Sequence, residues 1–459
     1  MSDCTWLWAP QAWIAGRWQQ RVLLQIGADG HWAAMQPDVP APPQARVLAG
    51  PLLPGLVNAH SHAFQRAFAG LAERREGEQD DFWSWRDRMY CVALRIAPEA
   101  LEAVATQLYA ELLQGGYTQV CEFHYLHHAP DGRPYADPLA MSHALLRAAQ
   151  ATGIGLTLLP VLYQRAGFTQ PQLREDQRRF ATDVQLLLTL RDGIRALRQP
   201  RVNAGVAIHS LRAASPEAIT RLADALAGDD APIHIHIAEQ TGEVDDCLAA
   251  TGRRPIEWLA AHVALDARWQ LVHATHATPQ EIDTVARGGA GVVICPSTEA
   301  NLGDGLTDLP RWLRAGTVLS LGSDSHVGRA WPAELRLLDY GQRLHLRQRN
   351  VSAAPQQGQP STAAHLFERL RAGGGAAAGF ARWGLETGAR ADWLVLDMRT
   401  AGLLGVPPGL ALDALVFATD APAFSEVGVA GRVVVRQGAA QDSAGIAQRF
   451  AETLSRLWA

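Results

Sequence analysis

The chain has 459 residues, of which 48% are hydrophobic and 19% charged, and its formal net charge at pH 7 is -5. This balance is typical of a globular protein and offers no basic surface for nucleic acid or an anionic membrane. All 41 basic residues are arginines, which excludes chemistry that depends on a Schiff-base lysine, a P-loop lysine or a lysine bridging two metal ions.

The first residues of the chain and its cysteines indicate the cellular compartment in which we expect the protein. The segment MSDCTWLWAPQAW lacks the basic and long apolar regions of a signal peptide, and no apolar run reaches the ~18 residues of a membrane helix. The five scattered cysteines fit neither a disulfide framework nor a CxxC metal site; they are Cys4, Cys91, Cys121, Cys247 and Cys295. We therefore expect a cytoplasmic protein with reduced thiols.

Strand-like and helical patterns alternate through most of the chain. Residues 1 to 50 have the turn signals of short hairpins. From Pro54, eight apolar runs follow: PGLVNAHSH, YTQVCEFHY, GLTLLPVLY, VNAGVAIHS, PIHIHIAE, WQLVHAT, GVVICPST and VLSLGSDSH. Helical spacing between them includes residues 98–114, 216–227, 243–261 and 279–287. This alternation predicts an α/β protein with a (β/α)8 TIM-like barrel.

The C-terminal part of the chain no longer shows the alternation of strand-like and helical patterns. The run GGGAAAG at 373–379 follows a helical pattern and lacks lysine, which predicts a flexible connection and not a phosphate loop. The segments RADWLVLDM, LDALVFATD and VGVAGRVVVRQG are interpreted as short strands that join the N-terminal strands in a small β-sandwich. The predicted domains are residues 1–53 with 381–442, the barrel at 54–380, and a C-terminal helix at 443–459.

Two histidines end the first barrel strand. His60 and His62 are two residues apart, so both side chains point to one face of a strand, about 6 to 7 Å apart along the chain. The chemistry of such barrels lies where the strands end at the C-terminal face. Further polar residues gather there: Glu122, His124, Tyr125, His209, Arg212, His234, His236, Glu239, His273, His276, Asp324 and His326. This convergence predicts a metal site.

The ligands follow from the position of each residue along its strand. His236 lies nearer to the end of strand five than His234, so we predict that His236 binds the metal and that His234 packs one layer deeper. Asp324 adds an anionic oxygen after strand eight. Three imidazoles and one carboxylate suit a single zinc ion, although iron(II) or another divalent ion fits the same ligands.

Glu239 lies three residues after His236 and is placed to move protons. Zinc lowers the pKa of its bound water to ~7, but hydrolysis at an amidine-like carbon also needs a group that carries a proton to the leaving nitrogen. We assign that role to Glu239. Asp324 and His273 are expected to orient the attacking water, and His273 is an alternative group for polarising the substrate.

Several of these segments resemble a known family. PGLVNAHSH, HIHIAE, LVHATH and SLGSDSH resemble the metal-binding strand ends of the amidohydrolase superfamily, in the branch with one metal and no bridging lysine. The longer motifs HSHAFQRAFAG, DDFWSWRDRMY, CEFHYLHH and AIHSLRA are similar to members that hydrolyse N-formimidoyl-L-glutamate to N-formyl-L-glutamate and ammonia in histidine degradation. The resemblance also implies a homodimer.

The implied substrate has two carboxylates and a cationic formimidoyl group, so its pocket needs cations at one end. Arg212 follows strand four, and Arg86 lies in the aromatic insertion FQRAFAGLAERREGEQDDFWSWRDRMY after the first barrel strand; both are candidates to bind carboxylates. The resemblance implies that Gln65, Tyr125 and His209 line the pocket. A deaminase of a guanine- or cytosine-like ring is the alternative enzyme, and a barrel that serves only as a binding or scaffold protein is the alternative from another class.

Overall fold

Two nine-stranded β-sheets organise the chain in the computed structural model, which describes residues 5–75, 81–421 and 423–459. Cys4 and residues 76–80 of the aromatic insertion lie outside these ranges. The strands are β1 (Thr5–Ile14), β2 (Arg17–Ile26), β3 (Trp32–Gln36), β4 (Arg46–Val47), β5 (Leu52–Leu53), β6 (Leu56–Ser61), β7 (Tyr117–His124), β8 (Gly155–Leu162), β9 (Val202–Ala204), β10 (Val206–Ile208), β11 (Ile233–Ile237), β12 (Trp269–His273), β13 (Gly291–Ile294), β14 (Val318–Leu321), β15 (Trp393–Leu396), β16 (Phe424–Val429), β17 (Arg432–Arg436) and β18 (Ala439–Ala440).

The second sheet, β6 to β14, is parallel throughout and closes on itself. Its order is β10-β11-β12-β13-β14-β6-β7-β8-β9, and β10 also pairs with β8. β9 and β10 are two parts of one barrel strand, interrupted at Gly205, where a Cβ would lie 2.4 Å from the Pro232 carbonyl oxygen. Every residue of β6, β7 and β8 is buried, as expected for parallel strands covered on both faces. The predicted (β/α)8 barrel is confirmed.

Helices cover the barrel and connect its strands. They are α1 (Phe82–Ala93), α2 (Pro98–Gln114), α3 (Ala140–Thr152), α4 (Val184–Ala196), α5 (Pro216–Ala225), α6 (Thr241–Thr251), α7 (Pro255–His262), α8 (Pro279–Gly288), α9 (Pro296–Leu302), α10 (Leu309–Arg314), α11 (Trp331–Leu346), α12 (Thr362–Ala377), α13 (Ala411–Ala418) and α14 (Ser443–Trp458). Short 3-10 helices occupy Ala63–Ala67, Glu175–Phe180, Pro355–Gln357, Ala401–Leu403 and Pro408–Leu410. Within the described ranges, no helix has both the length and the apolar character to cross a membrane.

The first sheet joins the two ends of the chain. Its order is β18-β17-β16-β15-β5-β1-β2-β3, with β4 beside β1. It has its own apolar core, which includes Leu7, Val22, Leu24, Trp32 and Trp393. The predicted sandwich-like unit built from both chain ends is confirmed. For the division into domains, we retain 1–53 with 381–442, 54–380 and 443–459 as a proposal.

Three local predictions were wrong. The segment LDALVFATD forms helix α13 instead of a strand, because Leu412, Leu415 and Val416 share one buried helical face. The single helix predicted at 243–261 is two helices, α6 and α7. A left-handed Gly252, with φ of 72°, ends the first of them, and Pro255 begins the second.

The third wrong prediction is the flexible connection GGGAAAG, most of which forms the end of helix α12. The glycines allow this helix to approach the barrel closely. A Cβ on Gly373 would lie 1.9 Å from the Leu319 carbonyl oxygen of β14, and one on Gly375 would lie 2.5 Å from Cβ of Trp383. Close packing, and not chain flexibility, therefore explains the glycine run.

A pair of alanine substitutions tests this packing. Gly373→Ala should lower the free energy of unfolding by about 1 to 3 kcal/mol because the methyl group overpacks the helix against β14. Gly242→Ala in α6 is the matched control, since no heavy atom lies within 4 Å of its added Cβ; we expect it to be neutral or to stabilise by up to about 1 kcal/mol. Urea unfolding measures both. Equal effects of the two substitutions would contradict the packing explanation.

Candidate active site

Backbone hydrogen bonds bring the first and last barrel strands together at their exits. The Asp324 N–H donates to the His60 carbonyl oxygen at 3.0 Å, and the His62 N–H donates to the Asp324 carbonyl oxygen at 3.3 Å. Ser61 and Asp324 form a parallel bridge at the same point. Three predicted ligands from opposite ends of the barrel sequence are thereby adjacent at its C-terminal face.

A buried carboxyl group fixes the exit of β6. Glu122, on the neighbouring strand β7, accepts the Ser61 hydroxyl at 2.7 Å and the Ala63 backbone N–H at 2.6 Å. Burial raises the pKa of Glu122 to about 7, and these donors act against the shift. Glu122, which is not itself a candidate metal ligand, therefore holds the residues on both sides of His62 in place.

The Nε2 atoms of three histidines converge. His60 Nε2 lies 3.1 Å from His62 Nε2 and 2.9 Å from His236 Nε2. His62 donates its Nδ1–H to the Phe123 carbonyl at 3.0 Å, and His236 donates its own to the His209 carbonyl at 2.9 Å. In the neutral rings the Nε2 atoms of His62 and His236 consequently present lone pairs to the shared centre.

These donor atoms fit one divalent ion. Asp324 Oδ1 lies 3.4 Å from His60 Nε2 and 3.3 Å from His62 Nε2. Ligands at the usual ~2.0 to 2.1 Å from zinc in a tetrahedron are about 3.3 Å apart, close to the measured separations. Burial lowers the pKa of His60, His62 and His236, which favours the neutral imidazole that binds metals. Repulsion among the converging lone pairs is relieved by a cation.

His234, the other histidine of β11, does not join this group. Its Nε2 lies 2.8 Å from the Ala377 carbonyl oxygen at the end of α12. Burial lowers its pKa to about 4, so the ring is a neutral donor to that carbonyl. The prediction that His234 packs below the ligand layer is confirmed.

Glu239 and His273 lie on the open side of the cluster. His273 Nε2 is 3.6 Å from Glu239 Oε1 and 3.8 Å from Asp324 Oδ2. Burial raises the pKa of Glu239 to about 7, against the opposing effect of His273. A carboxyl group with such a pKa can both accept and return a proton near neutral pH. Glu243 holds the loop in place by accepting the backbone N–H of Glu239 at 3.0 Å.

The backbone is strained where the strands deliver these side chains. Ala238, His273 and Asp324 have φ values of 52°, 70° and 47°. Left-handed backbone at residues other than glycine costs on the order of 1 to 3 kcal/mol and persists where surrounding contacts enforce it. Three such residues, at the exits of β11, β12 and β14, turn the chain so that the side chains face the cavity.

One cavity unites most of the predicted site residues. It is lined by His62, Gln65, Phe82, Trp85, Arg86, Met89, Tyr90, Tyr125, Tyr163, Phe180, His209, Arg212, His236, Glu239, His273, Leu302 and Asp324. His60 is fully buried behind this lining. His124, which ends β7, and His276 and His326, which follow β12 and β14, do not line the cavity.

The two predicted arginines share one aromatic neighbour. The guanidinium carbon of Arg86 lies 4.5 Å from the Trp83 ring centroid, and that of Arg212 lies 5.3 Å from the same centroid. Burial lowers the pKa of Arg86, and Arg212 adds to that effect, while Tyr90 opposes it. Among the described residues, neither arginine has a carboxylate within 4 Å. Two cations therefore line the cavity without a direct ion pair among the described residues, although Arg212 also acts at longer range on the carboxyl groups of Glu243 and Glu239.

Polar and aromatic groups complete the wall between the arginines and the histidines. Gln65 Nε2 donates to the Tyr125 hydroxyl at 3.1 Å. The centroid of the His209 ring lies 5.7 Å from that of the Tyr125 ring and 4.4 Å from that of the Tyr163 ring. Tyr163 directly follows β8, so the rule that placed Tyr125 at a strand exit would also have found it. Trp83 lies on helix α1, and no strand-end signal indicates its position.

Comparisons with known proteins agree with this geometry. The model of the amidohydrolase family matches residues 52–434. The formimidoylglutamate deiminase of Pseudomonas aeruginosa is 46% identical over 452 residues, which cover 98% of this chain and 99% of that protein. The 8-oxoguanine deaminase of the same organism is 28% identical over 337 residues, covering 70% of this chain and 69% of that protein.

A solved structure has nearly the same fold. The crystal structure of an amidohydrolase from Brucella melitensis superimposes with a TM-score of 0.94 at 41% identity, covering 99% of this chain and 100% of that one. The family match extends from the end of the first chain-end strands through the whole barrel. The chain therefore belongs to the amidohydrolase family and is a hydrolase of carbon–nitrogen bonds.

Proposed function

We propose that this enzyme hydrolyses N-formimidoyl-L-glutamate to N-formyl-L-glutamate and ammonia, a step of histidine degradation. The observation that carries the proposal is the pair Arg86 and Arg212, two cations with no carboxylate within 4 Å among the described residues, in the same cavity as Glu239 and the converging histidines. A substrate with two carboxylates and a formimidoyl group complements both ends of that cavity. The similarity to a formimidoylglutamate deiminase over nearly the full chain supports the same reaction.

The proposed metal ligands are His60, His62, His236 and Asp324, holding one ion. Nitrogen and oxygen donors in this number suit zinc, and iron(II) or another divalent ion is compatible with them. The absence of lysine from the sequence excludes a lysine-bridged pair of ions. When bound, such an ion brings the pKa of water down to ~7 and so makes hydroxide available at neutral pH.

Glu239 handles the protons in the proposed reaction. It takes one proton from the attacking water, while Asp324 and His273 orient that water towards the formimidoyl carbon. Addition to the carbon gives a tetrahedral centre that carries two nitrogens. Glu239 then gives its proton to the terminal nitrogen, the bond between that nitrogen and the carbon breaks, and ammonia leaves. The carbonyl of N-formyl-L-glutamate forms from the added oxygen as its remaining proton passes to Glu239 and from there to ammonia, which becomes ammonium.

The cationic end of the cavity holds the glutamate part in this proposal. Arg212 and Arg86 bind the two carboxylates through charge-assisted hydrogen bonds. Gln65, Tyr125 and His209 contact the substrate between the arginines and the reaction centre. Trp83 keeps both guanidinium groups at the cavity, and its indole supplies a cation–π contact to each of them.

The alternative of a ring deaminase rests on the similarity to the 8-oxoguanine deaminase. A guanine- or cytosine-like ring calls for amide and aromatic contacts and leaves the charges of two half-buried arginines without partners. The cavity therefore favours the dicarboxylate. A cytoplasmic location is a further prediction of the sequence, and a homodimer is implied by the family resemblance; both belong to this proposal.

An ammonia-release assay tests the proposal. The enzyme should release one ammonia for each N-formyl-L-glutamate formed from N-formimidoyl-L-glutamate, and it should release none from guanine, 8-oxoguanine or cytosine. Metal content measured on the same sample should be one divalent ion per chain. Turnover of a ring substrate in place of formimidoylglutamate would contradict the proposed function, and a metal-free inactive protein would favour the binding or scaffold role.

A further inference from the structure

A buried glutamate lies directly behind His273. Glu299, on helix α9, is 5% exposed and is not among the residues that line the cavity. Its Oε1 lies 3.3 Å from His273 Nδ1 and 2.9 Å from the backbone nitrogen of Cys295. The carboxyl group therefore touches neither the substrate pocket nor the converging Nε2 atoms, but it contacts a side chain that faces both.

The contact to Cys295 determines the direction of the contact to His273. A backbone N–H can only donate, so Glu299 Oε1 is an acceptor in the first hydrogen bond. The same oxygen faces His273 Nδ1, and two lone pairs cannot approach to 3.3 Å without repulsion. The His273 Nδ1 consequently carries a proton. Its Nε2 is the nitrogen that faces Glu239 Oε1 at 3.6 Å and Asp324 Oδ2 at 3.8 Å.

The position of His273 makes this anchor necessary. The residue ends strand β12 with a φ of 70°, a conformation that needs enforcement by neighbours. Its ring stacks on that of His236 at 5.6 Å with an interplanar angle of 22°. Stacking restrains the plane of the ring, but it does not prevent a 180° rotation of the ring about the Cβ–Cγ bond, which would put Cε1 in place of the nitrogen that faces Glu239. A hydrogen-bond acceptor behind the ring prevents that rotation.

We propose that Glu299 is a positioning residue of this enzyme: it holds His273 with Nδ1–H pointing away from the cavity and Nε2 directed at the reacting water. The kinetic part of this inference rests on the proposed function, whereas the orientation of the ring does not. The loop after α9 is tied to the same residue, because the Asp304 N–H donates to the Glu299 carbonyl oxygen at 2.9 Å.

Two substitutions of Glu299 by side chains of similar size separate the effect of its hydrogen bond to His273 from the effect of its charge. Glu299→Met removes the acceptor and should lower kcat for N-formimidoyl-L-glutamate by about 10- to 100-fold, the usual effect of losing a group that orients a reacting histidine. The KM should change by less than about twofold, since an interaction that acts only in the transition state does not alter substrate binding. One metal ion per chain should remain.

Glu299→Gln keeps an oxygen at the position of Oε1, and the Cys295 N–H selects the orientation of the amide that places this oxygen there. We expect this conservative variant to recover most of the kcat lost in Glu299→Met, staying within about tenfold of the unsubstituted enzyme. If Glu299 were needed only for packing, Glu299→Met and Glu299→Gln would not differ in kcat while KM and metal content stayed unchanged.

The tautomer of His273 gives a readout that needs no substrate. Zinc-loaded enzyme with 15N-labelled histidine should show a protonated Nδ1 for His273 in a 1H–15N spectrum, assigned by its loss in His273→Asn. The resonance should move in Glu299→Gln, because a neutral oxygen replaces a carboxylate, and the Nδ1 proton should be lost or exchange rapidly in Glu299→Met. Cys295→Ala should leave it in place, although the Cys295 thiol also contacts the His273 ring as a side-chain hydrogen-bond partner.

Several results would overturn the proposal. An unprotonated Nδ1 in the unsubstituted enzyme, a resonance that is identical in Glu299→Gln, or one that is lost in Cys295→Ala would each assign the ring to another partner. A normal kcat in Glu299→Met would remove its kinetic role. If the unsubstituted enzyme does not act on formimidoylglutamate but the NMR results are as expected, the proposed function fails and the positioning of His273 by Glu299 stands.

Discussion

Glu239→Gln should keep its metal and lose almost all turnover. The glutamine side chain has nearly the same size and can hydrogen-bond, but it cannot accept a proton from water and return it to the leaving nitrogen. Positioned general acids and bases contribute about 10²- to 10⁴-fold, and we expect kcat on N-formimidoyl-L-glutamate to fall by that range. The four proposed ligands remain, so metal analysis should still give one ion per chain.

The control for this result is a carboxyl group far from the cavity. Glu452 is an exposed residue of helix α14, and Glu452→Gln should leave kcat and metal content unchanged. Steady-state release of ammonia measures both variants, with metal content determined on the same samples. A Glu239→Gln enzyme that retains more than about a tenth of the normal kcat would show that another group carries the proton.

Arg212→Gln has the second large expected effect, on substrate capture. A charge-assisted hydrogen bond contributes roughly 1.5 to 3 kcal/mol, so kcat/KM for N-formimidoyl-L-glutamate should fall by about 10- to 150-fold. Loss of the charge also removes part of the field that attracts a dicarboxylate into the cavity. Arg399→Gln, at an exposed arginine, is the matched control and should have no effect.

A substrate without carboxylates distinguishes binding from chemistry. Formamidine contains the reacting carbon and both nitrogens, but it has nothing for Arg212 to bind. The Arg212→Gln enzyme should therefore act on formamidine as well as the unsubstituted enzyme does, however slowly both react. An equal loss on formamidine and on formimidoylglutamate would mean that Arg212 supports the catalytic groups instead of a carboxylate.

The sequence predicted the architecture and the convergence of side chains well because both follow from simple periodic rules. Strand ends of a parallel barrel meet at one face, so His60, His236 and Asp324 could be placed together although they are far apart in the chain. The choice of His236 over His234 rested on their positions along β11, and the contact of His234 with the Ala377 carbonyl confirms the deeper layer.

Two of the three wrong predictions have a common physical origin. The apolar residues in LDALVFATD are compatible with both a strand and a helix. The segment is a helix because Leu412, Leu415 and Val416 are buried together on one helical face. The glycines of GGGAAAG have low helix propensity, yet contact with Leu319 requires residues without a Cβ at this crossing. Local propensity alone contains no information about such neighbours.

The residues that support the site could also not be predicted from the sequence. Trp83 contacts two arginines that are 126 positions apart from each other in sequence order, Arg86 and Arg212. Glu299 contacts His273 from a short helix that follows a different strand. Neither residue belongs to a motif with ligand spacing, so only the three-dimensional arrangement reveals what each one holds.

Metal-edge X-ray absorption on the purified enzyme tests the central claim most directly, because it reads the atoms bound to the ion. Ligation by His60, His62, His236 and Asp324 predicts one ion with three imidazole nitrogens and oxygen neighbours, at about 2.0 to 2.1 Å for zinc, and no sulfur. The only nearby sulfur candidate among the described groups is Cys295, beside His273 and Glu299. A sulfur neighbour at about 2.3 Å, or fewer than three imidazoles, would contradict the assignment.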